Sequence, residues 1–278
     1  MSAPAPLRAP DLKRSGLLDP LRGFTIGLRG LGLVFSTPRL ARLTSAVAAI
    51  TALTLIGLAV GLWHAVPAAL QWAWTPPDTW WARSLFTLLE VLSFLLLFVA
   101  GAVTLPMMLA APLMDPISVA TERLLGYEAS SEGGLGRTLR ETTRAVVNAL
   151  LRLFVLLLGQ AVLLLLLLIP GVGGPLWTVL SWLWTALWAT AAYLDVPMAR
   201  HLYPFSHEAA ALKRRTGVCL GFGAAVALML WVPLLNFFFV PVAIVGSTLL
   251  FRGRVASGDI PSPEAVADAA KRSKDSGT

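Results

Sequence analysis

The chain has 278 residues, 56% hydrophobic and 13% charged, with a formal net charge of +7. So few polar side chains cannot cover a soluble globule of this size, which makes lipid the second solvent and disfavours a soluble enzyme. The basic residues flank long apolar blocks, so the charge reads as topology signal and contact with membrane lipids rather than nucleic-acid binding, and the single Cys219 leaves no internal disulfide or redox pair.

In chain order, residues 1–16 are rich in Pro, Ala and charge and are expected to form a disordered cytoplasmic N-terminus. A single transmembrane domain is expected over 17–252, and a disordered cytoplasmic tail over 253–278. The first 44 residues are too long, charged and Pro-rich for a cleavable signal peptide, so the first apolar block is expected to stay as an anchor. Between Leu17 and Leu43, apolar Leu21, Phe24, Leu28, Leu31 and Phe35 recur at helical spacing, with Arg22, Thr25, Arg29 and Ser36 on another face. That is the pattern of an amphipathic helix lying in the interface. Gly23, Gly27, Gly30 and Gly32 interrupt it and allow close backbone approach.

Six apolar segments follow, at about 44–66, 84–111, 146–169, 176–194, 218–232 and 237–251. At about 1.5 Å per residue the first three can each cross roughly 30 Å of hydrocarbon and the fourth barely can, whereas the last two reach only about 22 Å. The last two are therefore expected to form a re-entrant hairpin, turning at the uncharged Pro233, Leu234, Leu235 and Asn236. The link from Pro170 to Pro175 is equally uncharged, and two Pro/Gly-broken connections point to the discontinuous helices that build substrate sites in transporters. The expected class is an all-α integral membrane protein with about four long transmembrane helices, a short re-entrant helical hairpin and amphipathic interfacial helices. Of 22 Lys and Arg residues, 21 fall on one side of such a bundle and Arg83 alone on the other, which places both termini in the cytoplasm. Trp72, Trp74, Trp80 and Trp81 in the opposite loop suit an interfacial belt.

No catalytic signature is present: there is no phosphate-binding GxxxxGK[ST], no HExxH and no GxSxG, so neither an enzyme nor nucleotide-driven transport is expected. His64, His201 and His207 are too scattered for a metal site, and no cofactor is expected. Glu90 in the second apolar segment and Arg152 in the third require pairing or water, either as a pathway lining or as structural ion pairs, the nearest partner for Glu90 being Arg83. Asp115 before Pro116 suits a cap for an amphipathic stretch running to Gly126, with Glu122 and Arg123 on its wet side. Arg22 and Arg29 suit lipid phosphate; alternatively, with Gly-rich backbone beside them, they suit capture of a tetrahedral oxyanion by forked donors.

Several stretches resemble the CysZ-type bacterial inner-membrane proteins of the wider etoposide-induced membrane-protein family, which are associated with sulfate uptake for cysteine biosynthesis. They are Arg140-Glu141, Ile169 to Gly173, Tyr193-Leu194-Asp195-Val196-Pro197, Gly221-Phe222-Gly223, the run from Pro233 through Asn236 to Phe251, and Ala110 to Gly126 with Asp115 and Glu122. Gly27-Leu28-Arg29 resembles the family's GLR element. The resemblance implies sulfate held at Gly27, Leu28, Arg29 and Gly30 with Arg22 in support, and assembly as a homo-oligomer. It also makes Glu90, Asp115, Glu122, Arg140, Glu141, Asp195 and Asn236 candidates for pathway or gating roles. The sequence departs from the family at Val196 and Met198, which flank Pro197 in place of aromatic residues, and at Gly174. The competing reading is a non-transporting membrane scaffold of the same fold.

Overall fold

The structure is a computed structural model and describes residues 7–12, 16–74, 79–127, 135–231 and 238–275. Among these residues the regular elements are helices: α1 (Asp19–Ser36), α2 (Pro38–Ala73), α3 (Trp80–Leu124), α4 (Leu135–Leu164) extended by a 3-10 turn (Leu165–Leu168), α5 (Gly173–Arg200), α6 (Phe205–Arg214), α7 (Thr216–Trp231), α8 (Phe239–Ala256) and α9 (Pro263–Asp275). Proline sets several boundaries. Pro20 in the first turn of α1 gives up an N–H that the helix could not pair, and Pro38 forces Thr37 into extended backbone (φ −109°, ψ 111°), ending α1 and starting α2. Pro170 does the same to Ile169 (φ −88°, ψ 110°), after which Gly171 takes the positive φ of 79° that turns the chain into α5.

Four helical stretches are long and apolar enough to cross a membrane: Pro38–Ala73, Trp80–Pro106, Val146–Leu168 and Phe239–Ala256. The protein is thus an all-α integral membrane protein. The fourth stretch is not the one expected from segment length. The apolar segment at 176–194 carries Trp177, Trp182, Trp184 and Trp188, which lower its hydropathy, whereas the sixth segment gains a turn and becomes an 18-residue helix. At about 1.5 Å per residue α7 is roughly 24 Å long, short of about 30 Å, while α8 at roughly 27 Å stands at the lower limit of a span. Their connection, including Asn236, lies outside the described residues.

The chain forms two compact units, residues 45–113 and residues 1–44 with 114–278. In the first, α2 and α3 pair as a hairpin: a Cβ on Gly101 would lie 2.7 Å from Leu58 Cδ2, Trp63 meets Phe94 edge-on at 6.3 Å, and Phe94 stacks on Phe98 at 5.8 Å. Leu53, Ile56, Val60, Leu88, Leu92 and Leu96 stay exposed, as lipid-facing side chains are.

In the second unit α8 is innermost, with 78% of its apolar window buried, and it is apolar all round for most of its length. Phe222 of α7, Leu194 and Met198 of α5, Tyr203, and Leu250 and Phe251 of α8 form the core. α1 docks on α7 and α8 through Gly23, Ile26, Gly27, Gly30 and Val34. Leu21, Leu28 and Phe35, the face expected to be apolar, remain exposed. Amphipathic patterning located the lipid side of α1, and its glycines mark the protein side, where small residues bring helices closest.

The described parts of the two terminal segments pack on this unit. Residues 7–12 pack on this unit, with Leu12 buried and the Leu7 N–H donating to the Leu124 carbonyl at 2.9 Å. Beyond residue 252, α8 runs on to Ala256, Ile260 is buried, Tyr203 Oη donates to the Pro261 carbonyl, and α9 follows. Composition marks such segments as polar; a few apolar anchors suffice to tie them down.

Candidate functional site

The charged residues of the larger unit converge instead of pointing to water. Glu122, in the last turn of α3, is fully buried between three cationic or ionisable groups. Arg200, at the end of α5, gives NH1 to Glu122 Oε2 at 2.9 Å and Nε to Asp115 Oδ1 at 2.7 Å. Arg252 of α8 donates Nε to Glu122 Oε1 at 3.0 Å, and His201 Nε2 lies 3.2 Å from the same oxygen. Tyr127 covers the Arg252 guanidinium at 4.1 Å, and the His201 ring stacks on Phe251 at 5.7 Å. Burial raises the Glu122 carboxyl, but the His201 hydrogen bond and the charges of Arg252 and Arg200 outweigh it and hold the group below the ordinary carboxylate range. The expectations for this stretch are corrected. Asp115 is not a cap, because α3 continues through Pro116; it pairs with Arg200. Glu122 does not face water; only its neighbour Arg123 does.

A second cluster joins three helices. Arg152 of α4 places NH2 3.1 Å from Asp195 Oδ2 of α5 and 3.1 Å from Glu208 Oε2 of α6, and Asn148 Nδ2 donates to Glu208 Oε1 at 3.0 Å. Two carboxylates thus share one guanidinium nitrogen. Burial and the charge of Asp195 push the Glu208 carboxyl up to about 8 against the opposing pull of Arg152. Arg152 therefore finds its partners on α5 and α6, and among the described residues Glu90 is paired with neither Arg83 nor Arg152; it is half-buried on α3. A third group ties α1, α6, α7 and α8 together: Arg215, between α6 and α7, lies 3.7 Å from Asp19 Oδ2 of α1 and 3.1 Å from Asp259 Oδ2, and fully buried Arg254 of α8 donates NH2 to the Ala211 carbonyl of α6 at 2.6 Å and NH1 to Cys219 Sγ of α7 at 3.3 Å.

The residues expected to hold sulfate are split by their helix. On α1, Leu28 and Arg29 are exposed, and Arg29 makes no hydrogen bond or ion pair among the described residues. Gly27 and Gly30 lie on the opposite, protein-facing side. A Cβ on Gly27 would sit 2.7 Å from Ala225 Cβ, and one on Gly30 would sit 2.8 Å from both Gly246 N and the Val242 carbonyl oxygen. The close approach these glycines permit is helix to helix. Arg22, two turns before Arg29, pairs with Asp19 at 3.3 Å. Arg140 and Glu141 fall within α4, but their side chains lie outside the described residues, and no group of metal-ligating residues occurs among those described.

Residues 27–241 match the family described as Sulfate transporter CysZ/Etoposide-induced protein 2.4. The chain belongs to this family. Among curated relatives of the family, the Salmonella typhimurium protein named Sulfate transporter CysZ is 31% identical over 197 residues, covering 66% of this chain and 78% of the relative. The Vibrio parahaemolyticus protein of the same name is 31% identical over 148 residues, 53% of this chain and 60% of the relative. Within this family member, sequence reading missed Arg200, His201, Glu208, Arg252 and Arg254 as site-forming groups. In the sequence the three arginines read only as charges flanking apolar blocks and His201 as one of three scattered histidines, while nothing in its local pattern singles out Glu208. The only local signal was the pair Arg252 and Arg254 at the end of an apolar run, and a membrane helix carries the same pattern at its cytoplasmic end for topology alone.

Proposed function

We propose that this chain carries sulfate or a closely related oxyanion across the bacterial inner membrane, supplying it for cysteine biosynthesis. The family match over residues 27–241, with a relative named Sulfate transporter CysZ, supports the reading most directly. Sulfate is a dianion whose transfer through hydrocarbon requires fixed donors in place of its water. Arg29, exposed and without an acidic partner among the described residues, makes the forked contact, next to Leu28, and Arg22 two turns away adds positive field. Gly27 and Gly30 seat α1 against α7 and α8 and so fix where Arg29 stands. Glu90, a half-buried carboxylate inside the Trp80–Pro106 span, is a gate or proton-coupling group, and Asp115, Glu122, Asp195, Arg140, Glu141 and Asn236 belong to the pathway or its supports. Both termini lie in the cytoplasm by the charge asymmetry, and a homo-oligomer covers part of the apolar surface that the hairpin leaves exposed.

Radiolabelled sulfate uptake into proteoliposomes tests this. Wild type is expected to accumulate sulfate, and Arg29→Ala to lose about tenfold or more of the initial rate, as befits one charge-assisted forked contact. A wild-type protein that neither transports sulfate nor gains thermal stability from it would show a scaffold instead.

A further inference from the structure

A second anion site goes beyond the transport reading. A cleft of about 560 Å³ opens between the first turn of α2 and residues 115–123 of α3, within the larger unit. Arg39, Arg42 and Arg123 line it around an apolar floor of Leu43, Pro116 and Val119. Among the described residues Arg39 and Arg123 have no hydrogen-bond or ion-pair partner, and Arg42 only donates Nε to the Pro38 carbonyl of its own turn at 3.4 Å. The cleft's single carboxylate, Asp115, is committed to Arg200 at 2.7 Å, so the cleft holds an uncompensated positive charge.

No acidic residue in the adjoining turn balances that charge. Arg39 and Arg42 sit in the first turn of α2, which contains no acidic residue, and a helix N-terminus already carries roughly half a positive charge. Three guanidiniums line one hollow, and a tetrahedral oxyanion is the species that can meet all three with charge-assisted hydrogen bonds. The volume exceeds what a lone sulfate fills and admits a phosphodiester headgroup. At 36 residues α2 is about 54 Å long, so its ends reach beyond roughly 30 Å of hydrocarbon, to the depth of lipid phosphates.

We propose that Arg39, Arg42 and Arg123 form an oxyanion-binding cleft that takes the phosphate of an anionic lipid, or free sulfate or phosphate, at a site separate from Arg29. The test uses the full-length Arg29→Ala protein, so that binding at the transport site does not contribute. Native mass spectrometry and thermal unfolding in detergent are followed with sodium sulfate, inorganic phosphate, phosphatidylglycerol and phosphatidylcholine. One saturable site is expected for an oxyanion probe and none for phosphatidylcholine. A response to phosphatidylglycerol alone identifies a lipid site, and a response to sulfate or phosphate as well identifies a free-anion site. Arg123→Gln, and separately the pair Arg39→Gln with Arg42→Gln, should each weaken binding about tenfold or more; all three side chains are exposed, so folding is retained. The proposal is overturned if no oxyanion probe binds saturably, or if the triple glutamine protein binds as tightly as its parent.

Discussion

Glu208 offers the most direct check on the buried charge clusters. Its carboxyl is 1% exposed, faces Asp195 across a shared Arg152 nitrogen, and is pushed from the ordinary 4.5 up to about 8. The fold thus favours the neutral acid, with the proton lying between two carboxyls that cannot both ionise beside one guanidinium. In the unfolded chain the same group ionises near 4.5, so the folded protein binds the extra proton between these values, and stability falls as pH rises through that window, levelling only above about 8. The slope is about 1.4 kcal/mol per pH unit and falls to half of that by about pH 8, so between about pH 6 and pH 8 roughly 2 kcal/mol is lost, or about 4–8 °C in midpoint for a unit of this size. Glu208→Gln keeps the amide hydrogen-bonded to Asn148 and Arg152 but cannot ionise, so its midpoint should stay nearly level over the same range. Thermal unfolding of both proteins in one detergent, at matched ionic strength, provides the comparison. Two midpoint curves running parallel from about pH 6 to pH 8 would refute the shared proton.

Two further outcomes follow from packing. Glu122→Gln leaves Arg200 and Arg252 buried without their common carboxylate and should cost about 3–5 kcal/mol, seen as a lower unfolding midpoint and poor yield of monodisperse protein. Gly30→Ala forces a methyl against the backbone of α8 and should cost about 1–3 kcal/mol. Gly32→Ala, two residues on with nothing within 4 Å, should be neutral or stabilise α1 by up to about 1 kcal/mol; equal effects of the two substitutions in a thermal-shift assay would count against the α1 packing described above.

The two clusters differ in how a proton distributes over them, and this bears on transport. Around Glu122, cations outnumber carboxylates and the acid stays charged; around Glu208, carboxylates outnumber the single guanidinium and one acid stays neutral. The two buried acids are therefore shifted in opposite directions, and of the pair it is the Glu208 group that can take up or release a proton near neutrality.

Segment length and apolarity alone were enough to establish an all-α membrane protein, the break at Pro170 and the shortness of α7, because a run of apolar residues or a proline acts locally and needs no partner, whereas the break at Pro38, inside a stretch read as one helix, came from the structure. The resemblance at Gly27-Leu28-Arg29 and Pro233 to Phe251 was legible for the same reason, as contiguous residues. Sequence could not say that the glycines of α1 face α7 and α8 while Arg29 faces away, since a period of 3.6 separates two faces without naming which one meets protein. Nor could it join Glu122 to Arg252, 130 positions away, or Arg152 to Asp195 and Glu208. Those pairings exist because a low-dielectric interior leaves a charge no partner but another charge, and only the tertiary fold decides which helices end close enough to supply it.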